Sequence, residues 1–270
     1  MTSIPLVVFS DLDGTLLDHG SYAWSAAKPA LQRLARIPAP VILASSKTAA
    51  EIEVLQRDMG LDHWPAIVEN GAGMLGDDTP SQYDDLRAVV DEMPVRLRRC
   101  FKGFGDMSVT DVVGCTGLSP QDAKRARQRA FSEPGLWLGT DADASEFFLA
   151  LGARGVTARL GGRFMTLSFG ATKADQMAAI LARFAPRHSV ALGDAPNDTE
   201  MLEAAEIGII VANPHRPPLP PVPGEASGKI RRTTQAGPVG WNSAMIDLLD
   251  HLDLPSSAAL PLSSGQQNHG

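Results

Sequence analysis

The fold is read from "VVFSDLDGTLLD", Val7 to Asp18. Leu6–Phe9 is an unbroken apolar run, the pattern of a short strand covered on both faces. Asp11 and Asp13 follow one residue apart, with Gly14 directly behind them. If the extended conformation persists, both carboxylates point to the same side. Two like charges at the end of a buried strand repel where water is scarce, so compensating positive charge has to sit beside them.

Outward from this stretch, strand and helix signals alternate. Ala26–Arg36 has helical spacing and stops before Ile37-Pro38. "PVILA" (Pro40–Ala44) is a second strand, followed by polar "SSKT" and a helix "AAEIEVLQRDMG" with Gly60 as its stop. "PAIVENGA" (Pro65–Ala72) is a third strand that runs into a glycine turn. After Gly76 the rhythm breaks: "GDDTPSQYDD" reads as a polar, turn-rich linker. Ser119-Pro120 opens a helix, Ala144–Ala153 forms another, and "VTARLGGRFMTLSF" reads as a hairpin around Gly161-Gly162. The βα rhythm then resumes with "TKADQMAAILARFA", "HSVALGD", "DTEMLEAAE" and "IGIIVAN". "PHRPPLPPVPG" is too rich in proline for regular structure, and "GWNSAMIDLLDHLDL" closes with a helix. The basic run "RLRRCFKG" reads as a solvated helix face. Alternating strands and helices predict an α/β fold with a Rossmann-like, mostly parallel sheet. The middle section reads as an inserted α+β unit. The expected division is core 1–78, insert 79–170, core again 171–254, and a disordered tail 255–270.

The chain of 270 residues is long enough for one large domain or two modest ones, and 44% hydrophobic residues suit a packed core. A net charge of -7 offers no global attraction for nucleic acid or anionic membrane, so neither is expected as a partner. An anionic ligand would need local positive charge or a metal. Cys100 and Cys115 make no disulfide framework. With no signal segment and no apolar run near the ~20 residues of a membrane helix, the reading is a soluble, cytoplasmic protein.

Ligands of an open parallel sheet bind at the carboxyl ends of its strands. Asp11/Asp13, Ser45, Lys173 at a helix start, and Asp194 with Asp198 all fall at or beside such ends. "DLDGTLLD", the strand ending in Ser45, Lys173 and "GDAPNDTEML" together resemble the four motifs of the haloacid dehalogenase (HAD) superfamily of phosphohydrolases, in order and across nearly the whole chain. The insert resembles the type IIB (C2B) α+β cap. The words "SSKTAAEI", "VENGA", "RAFSEP" and "GGRF" resemble the mannosyl-3-phosphoglycerate phosphatase group within it.

The resemblance implies Mg²⁺-dependent hydrolysis of a phosphosugar through an aspartyl-phosphate. Asp11 is the implied nucleophile, Asp13 the acid and base, and Lys173 the charge-spreading ammonium. Asp11, Asp194 and the backbone carbonyl of Asp13 are the implied metal ligands, with Asp198 supporting the metal's waters or holding Lys173. Ser45 is expected on a phosphate oxygen and Lys47 on a second anionic group. Glu69 and Asn70 are expected to face the cap and substrate. Arg163 suits a carboxylate such as that of glycerate. Asp106, Thr110 and Asp111 are weaker candidates for sugar hydroxyls.

Plainer readings stand beside these. Asp11 and Asp13 could be solvated turn residues, Asp194 and Asp198 helix caps, Ser45 an N-cap and Lys173 a surface lysine. An EF-hand fails because Gly14 comes fourth where glycine must come sixth. A glucosyl or simpler sugar phosphate, a phosphomutase, and a silent phosphosugar-binding module remain alternatives to the first reading.

Overall fold

A computed structural model describes residues 4–161, 163–252 and 254. Its strands in chain order are β1 (Leu6–Ser10), β2 (Val41–Leu43), β3 (Ala66–Val68), β4 (Gly73–Leu75), β5 (Phe101–Gly103) and β6 (Ser132–Trp137). β7 (Thr157–Leu160), β8 (Met165–Ser168), β9 (His188–Gly193), β10 (Ile207–Ala212) and β11 (Ile230–Ala236) complete the set.

The main sheet runs β11-β10-β9-β1-β2 and is parallel throughout. β1 shows why such strands read as continuous apolar runs. Leu6 and Val8 join an apolar layer with Trp241, Met245 and Leu248 of the helix Gly237–His251. Val7 and Phe9 join the opposite layer, with Met177 and Ile180 of the helix Lys173–Phe184. Both faces are covered, so neither can be polar. Burying each such large side chain contributes about 1.5–3 kcal/mol. β3 adjoins the sheet through a single parallel bridge, Ala44 to Ile67, and turns back antiparallel into β4.

A second sheet, β5-β6-β8-β7, is antiparallel and arises entirely between β4 and the helix at Lys173. Helices Tyr83–Asp91 and Asp141–Gly152 share one apolar cluster with it. Phe104, Met107, Val112, Ala123 and Ala126 form another. The α/β class with an inserted α+β unit is thus the observed architecture.

Several local expectations need correction. The polar stretch after Gly76 is not all linker, because the helix Tyr83–Asp91 begins inside it and buries Leu86 and Val90. The basic run is not a solvated helix face: a short helix, Val95–Arg98, passes into β5, and Leu97 and Phe101 are buried. β6 and β11 were not expected. The tail 255–270 lies outside the described residues.

Candidate active site

The parallel pairing of β1 with β9 places Ser10 level with Leu192, and the Asp11 N–H donates to the Leu192 carbonyl at 2.9 Å. Asp11 and Asp194 therefore emerge side by side at the carboxyl rim. β2 pairs on the other flank, where the Ala44 N–H donates to the Ser10 carbonyl and sets Ser45 next to Asp11. The strand end is pinned from below: Trp241 Nε1 donates to Ser10 Oγ at 2.9 Å, and that hydroxyl donates to the Asp11 carbonyl at 2.8 Å.

Lys173 opens its helix behind the N-cap Thr172, whose side chain accepts from the Asp175 N–H. Its approach depends on Gly71 (φ 90°), where a Cβ would lie 2.2 Å from the Lys173 nitrogen. Lys173 Nζ is buried and donates to Asp11 Oδ1 at 2.6 Å and to Asp198 Oδ1 at 2.7 Å. The other oxygen of Asp198 accepts the N–H groups of Asp194 and Ala195 at 3.1 and 3.0 Å, which fixes the loop that carries Asp194.

Asp11, Asp194 and Asp198 each offer an oxygen within 4.8 Å of the others, all buried. Three carboxylates outnumber the two cations beside them, the buried Lys173 ammonium and the partly exposed Arg216 guanidinium; the excess negative charge favours a cation, and an all-oxygen donor set suits a hard one such as Mg²⁺. The strain appears in the proton affinities. Burial first, then the charge of Asp198, pushes the Asp11 carboxyl well above 3.8, against the pull of Lys173. Burial also raises Asp194, opposed by hydrogen bonds from Asn213 and Thr15. Burial works against the charge of Lys173, but Asp11 and Asp198 together outweigh it and hold the ammonium above its ordinary range.

Asp13 stands apart from this cluster. Its Oδ2 accepts from Lys47 Nζ at 2.8 Å, while Oδ1 is buried and has no partner among the described residues. Lys47 is therefore engaged with Asp13, and its ammonium also lies over the Tyr22 ring at 5.3 Å. Ser45 is buried. Its Oγ accepts the Lys47 N–H at 3.3 Å, which leaves the hydroxyl proton free to donate.

Three residues that sequence reading missed complete the rim. Thr15 Oγ1 donates to Asp194 Oδ1 at 2.7 Å, and Asn213 Nδ2 donates to Oδ2 at 2.8 Å. Arg216 Nε lies 3.2 Å from the same Oδ2. Asn213 also explains Gly14 (φ 87°), because a Cβ there would lie 2.4 Å from the Asn213 amide. Thr15 was within sight, inside the opening motif. Asn213 and Arg216 sit beside a proline-rich stretch that carries no chemical signature.

Other expected residues are elsewhere. Glu69 does not reach outward for substrate. Its carboxylate accepts the N–H groups of Ala130, Phe131 and Ser132 at 2.8, 3.2 and 2.7 Å and the Ser132 hydroxyl at 2.7 Å, with Arg129 Nε at 3.3 Å. Those bonds engage both of its oxygens and turn the carboxylate toward segment 129–132. Asn70 accepts from Asn197 Nδ2 at 3.1 Å. Arg163 donates to the Cys115 carbonyl at 3.2 Å, and among the described residues no contact joins it to the acidic cluster. Asp111 caps a helix at Ser108, and Asp106 is tied to Arg87, Arg98 and the Gly103 N–H.

Comparison with known proteins fits this geometry. A family model described as haloacid dehalogenase-like hydrolase matches residues 8–86 and 156–217. A Thermoplasma acidophilum protein of known structure shares the fold at TM-score 0.65 and 15% identity, over 92% of this chain and 99% of its own. The sucrose-phosphatase of Synechocystis, solved with sucrose and phosphate, is similar at TM-score 0.59 and 16% identity, over 90% and 98%. A HAD subclass IIB sugar phosphatase is similar at TM-score 0.61 and 17% identity, over 90% and 98%.

Proposed function

The chain belongs to the haloacid dehalogenase-like hydrolases, and on that premise we propose that it is a Mg²⁺-dependent phosphatase whose substrate is 2-O-(α-mannosyl)-3-phosphoglycerate, released as mannosylglycerate and phosphate. We assign residues 1–78 and 171–254 to its core and 79–170 to its cap. The observation that carries the reading is Lys173 bridging Asp11 and Asp198 within bonding distance of both, beside Asp194.

Lys173 holds Asp11 Oδ1, so Oδ2 is the oxygen that attacks phosphorus. The P–O bond to the sugar-acid alcohol breaks as the P–Oδ2 bond forms, giving an aspartyl-phosphate. Asp13, whose buried Oδ1 has no partner among the described residues, is the acid that passes a proton to the departing alkoxide. In the second half Asp13 takes a proton from water, the water oxygen bonds to phosphorus, and Asp11 departs with its electron pair. Ser45 donates to a non-bridging oxygen, and Lys173 offsets charge that grows there. Asp11, Asp194 and the Asp13 carbonyl would hold Mg²⁺, which when bound neutralises phosphate charge and polarises the phosphorus centre. The mannosyl assignment draws on sequence words, three of which, "SSKTAAEI", "VENGA" and "RAFSEP", touch one another in the fold.

The test is a phosphate-release screen over mannosyl- and glucosyl-3-phosphoglycerate, free phosphoglycerate and sucrose phosphate, with and without Mg²⁺. Metal-dependent release fastest on the mannosyl compound is expected; preference for another member reassigns the sugar, and no release from any sinks the phosphatase reading. Asp11→Asn is expected to abolish turnover while phosphosugar binding stays measurable by calorimetry. Asp13→Asn is expected to slow alkyl phosphates by about 10²–10⁴-fold and an aryl phosphate far less, since phenolate leaves without a proton. Equal losses on both would remove Asp13 as the acid.

A further inference from the structure

Glu69, Asn70 and Gly71 have φ of 52°, 60° and 90°, three left-handed residues in a row. Two of them carry a Cβ, and such backbone persists only where the surroundings over-determine it. Two sets of bonds hold this turn. On its core side, the Glu69 N–H donates to the Lys47 carbonyl at 2.9 Å and the Asn70 N–H to the Ser45 carbonyl at 2.8 Å. On the other side, the Glu69 carboxylate gathers the backbone of residues 130–132, far along the chain in the inserted unit. The loop that follows Ser45 also meets the inserted unit, twice. Arg129 donates from both terminal nitrogens to the Ser46 carbonyl at 3.3 Å, and Thr48 Oγ1 donates to the Arg125 carbonyl at 3.0 Å. Phe131 then buries its ring in the core layer against Gly73, where a Cβ would lie 2.1 Å from it.

A continuous bonded path follows: residues 130–132, the Glu69 carboxylate, its backbone, the Lys47 carbonyl, and the Lys47 ammonium on Asp13 Oδ2. We propose that Glu69 is a positioning residue that couples the seat of the inserted unit to the Asp13–Lys47 pair, so that the proton-donating carboxyl is aimed only while segment 129–132 is seated. The inference rests on the phosphatase reading. A purely structural clamp would affect every substrate alike. Coupling through Asp13 penalises only substrates whose leaving group needs a proton.

Glu69→Gln keeps the shape but turns an amide donor toward backbone donors. Hydrogen exchange at Ala130, Phe131 and Ser132 should quicken tenfold or more. Turnover of the best alkyl phosphate from the screen should fall about 10–100-fold, with 4-nitrophenyl phosphate changed about threefold or less. Ser132→Ala, which removes one donor and leaves the charge in place, should show the same selective pattern at smaller amplitude if Glu69→Gln does not fold. In a Lys47→Met background, Glu69→Gln should add little to the alkyl-phosphate loss, because both act along one path. Unchanged exchange at 130–132, equal losses on the two phosphates, or additive losses in the double variant each overturn the coupling. If the wild-type protein releases no phosphate from either compound while exchange still quickens, the phosphatase reading has failed and the coupling with it, but the clamp stands.

Discussion

At the scale of single residues, the site depends on where each lone pair of Asp194 is spent. Thr15 occupies one oxygen, and Asn213 with Arg216 occupies the other. The remaining lone pair on Oδ1 is the one left for the proposed Mg²⁺. Asn213→Ala should therefore free Asp194 to rotate and lower affinity for Mg²⁺ or Mn²⁺ by about 10–100-fold, as loss of an outer partner of a metal ligand does. Calorimetric titration reads this directly, without turnover; unchanged affinity would mean that Asn213 does not orient the carboxylate. The motif residues were legible because chemistry restricts them to a few types at fixed spacing. Asn213 was not, since an amide beside a proline run looks the same whether it caps a turn or holds a carboxylate. Glu69 misled for the opposite reason. A carboxylate at a strand end invites a ligand, and nothing in "VENGA" says that backbone amides some sixty residues later will engage both its oxygens.

Between single elements, legibility followed burial pattern. β1, β9 and β10 are buried on both faces and announce themselves as apolar runs. β11 is an edge strand, nearly all exposed after Ile230, with "IRRTTQA" lacking any alternation. β6 contains Pro134 and Gly135, which argue against a strand. The proline is tolerated because β5 pairs only with residues 135–137, so at Pro134 the strand has a neighbour on one side alone. Gly135 is required there, since a Cβ would lie 2.6 Å from the Phe101 ring across the ladder. Nearby, Asp106 joins helix Tyr83–Asp91 to β5 by accepting from Arg87, Arg98 and the Gly103 N–H. Burial opposes its charge, but the hydrogen bonds from Arg87 and Arg98 prevail, and the carboxyl is held down at about 2. A depressed carboxyl contributes stability that is present above its unfolded value of 3.8 and is lost as pH falls toward about 2. Asp106→Asn should thus cost stability at pH 6, and its deficit against wild type should close as pH approaches 2. Urea midpoints at a series of pH values check this; a deficit independent of pH would show that the ionised form is not what matters.

On the scale of the whole molecule, the main sheet and the inserted sheet keep separate apolar interiors. The main sheet has its layers around Val8 and Phe9, while the inserted sheet has its own around Phe101, Phe147 and Leu151. Phe131 is the one residue of the described insert whose ring lies in the layer beneath β1. All the carboxylates of the cluster belong to the main sheet's rim, on the ends of β1 and β9 and the loop after β9. A cation bound there stabilises the unit that forms the site, by about 2.7 kcal/mol at a hundredfold excess over its dissociation constant. That corresponds to about a hundredfold slower exchange for amides that open with that unit. Mg²⁺ should accordingly slow exchange in β1 and β9 strongly. Amides of β7 and β8 should slow much less, because that sheet can open while the cation stays bound. The contrast decides two things at once. No slowing in β1 and β9 would mean that the acidic cluster holds no Mg²⁺. Equal slowing in both sheets would mean that the chain opens as one body, and that the clamp at Glu69 binds the units too tightly for the insert to move as a lid over the site.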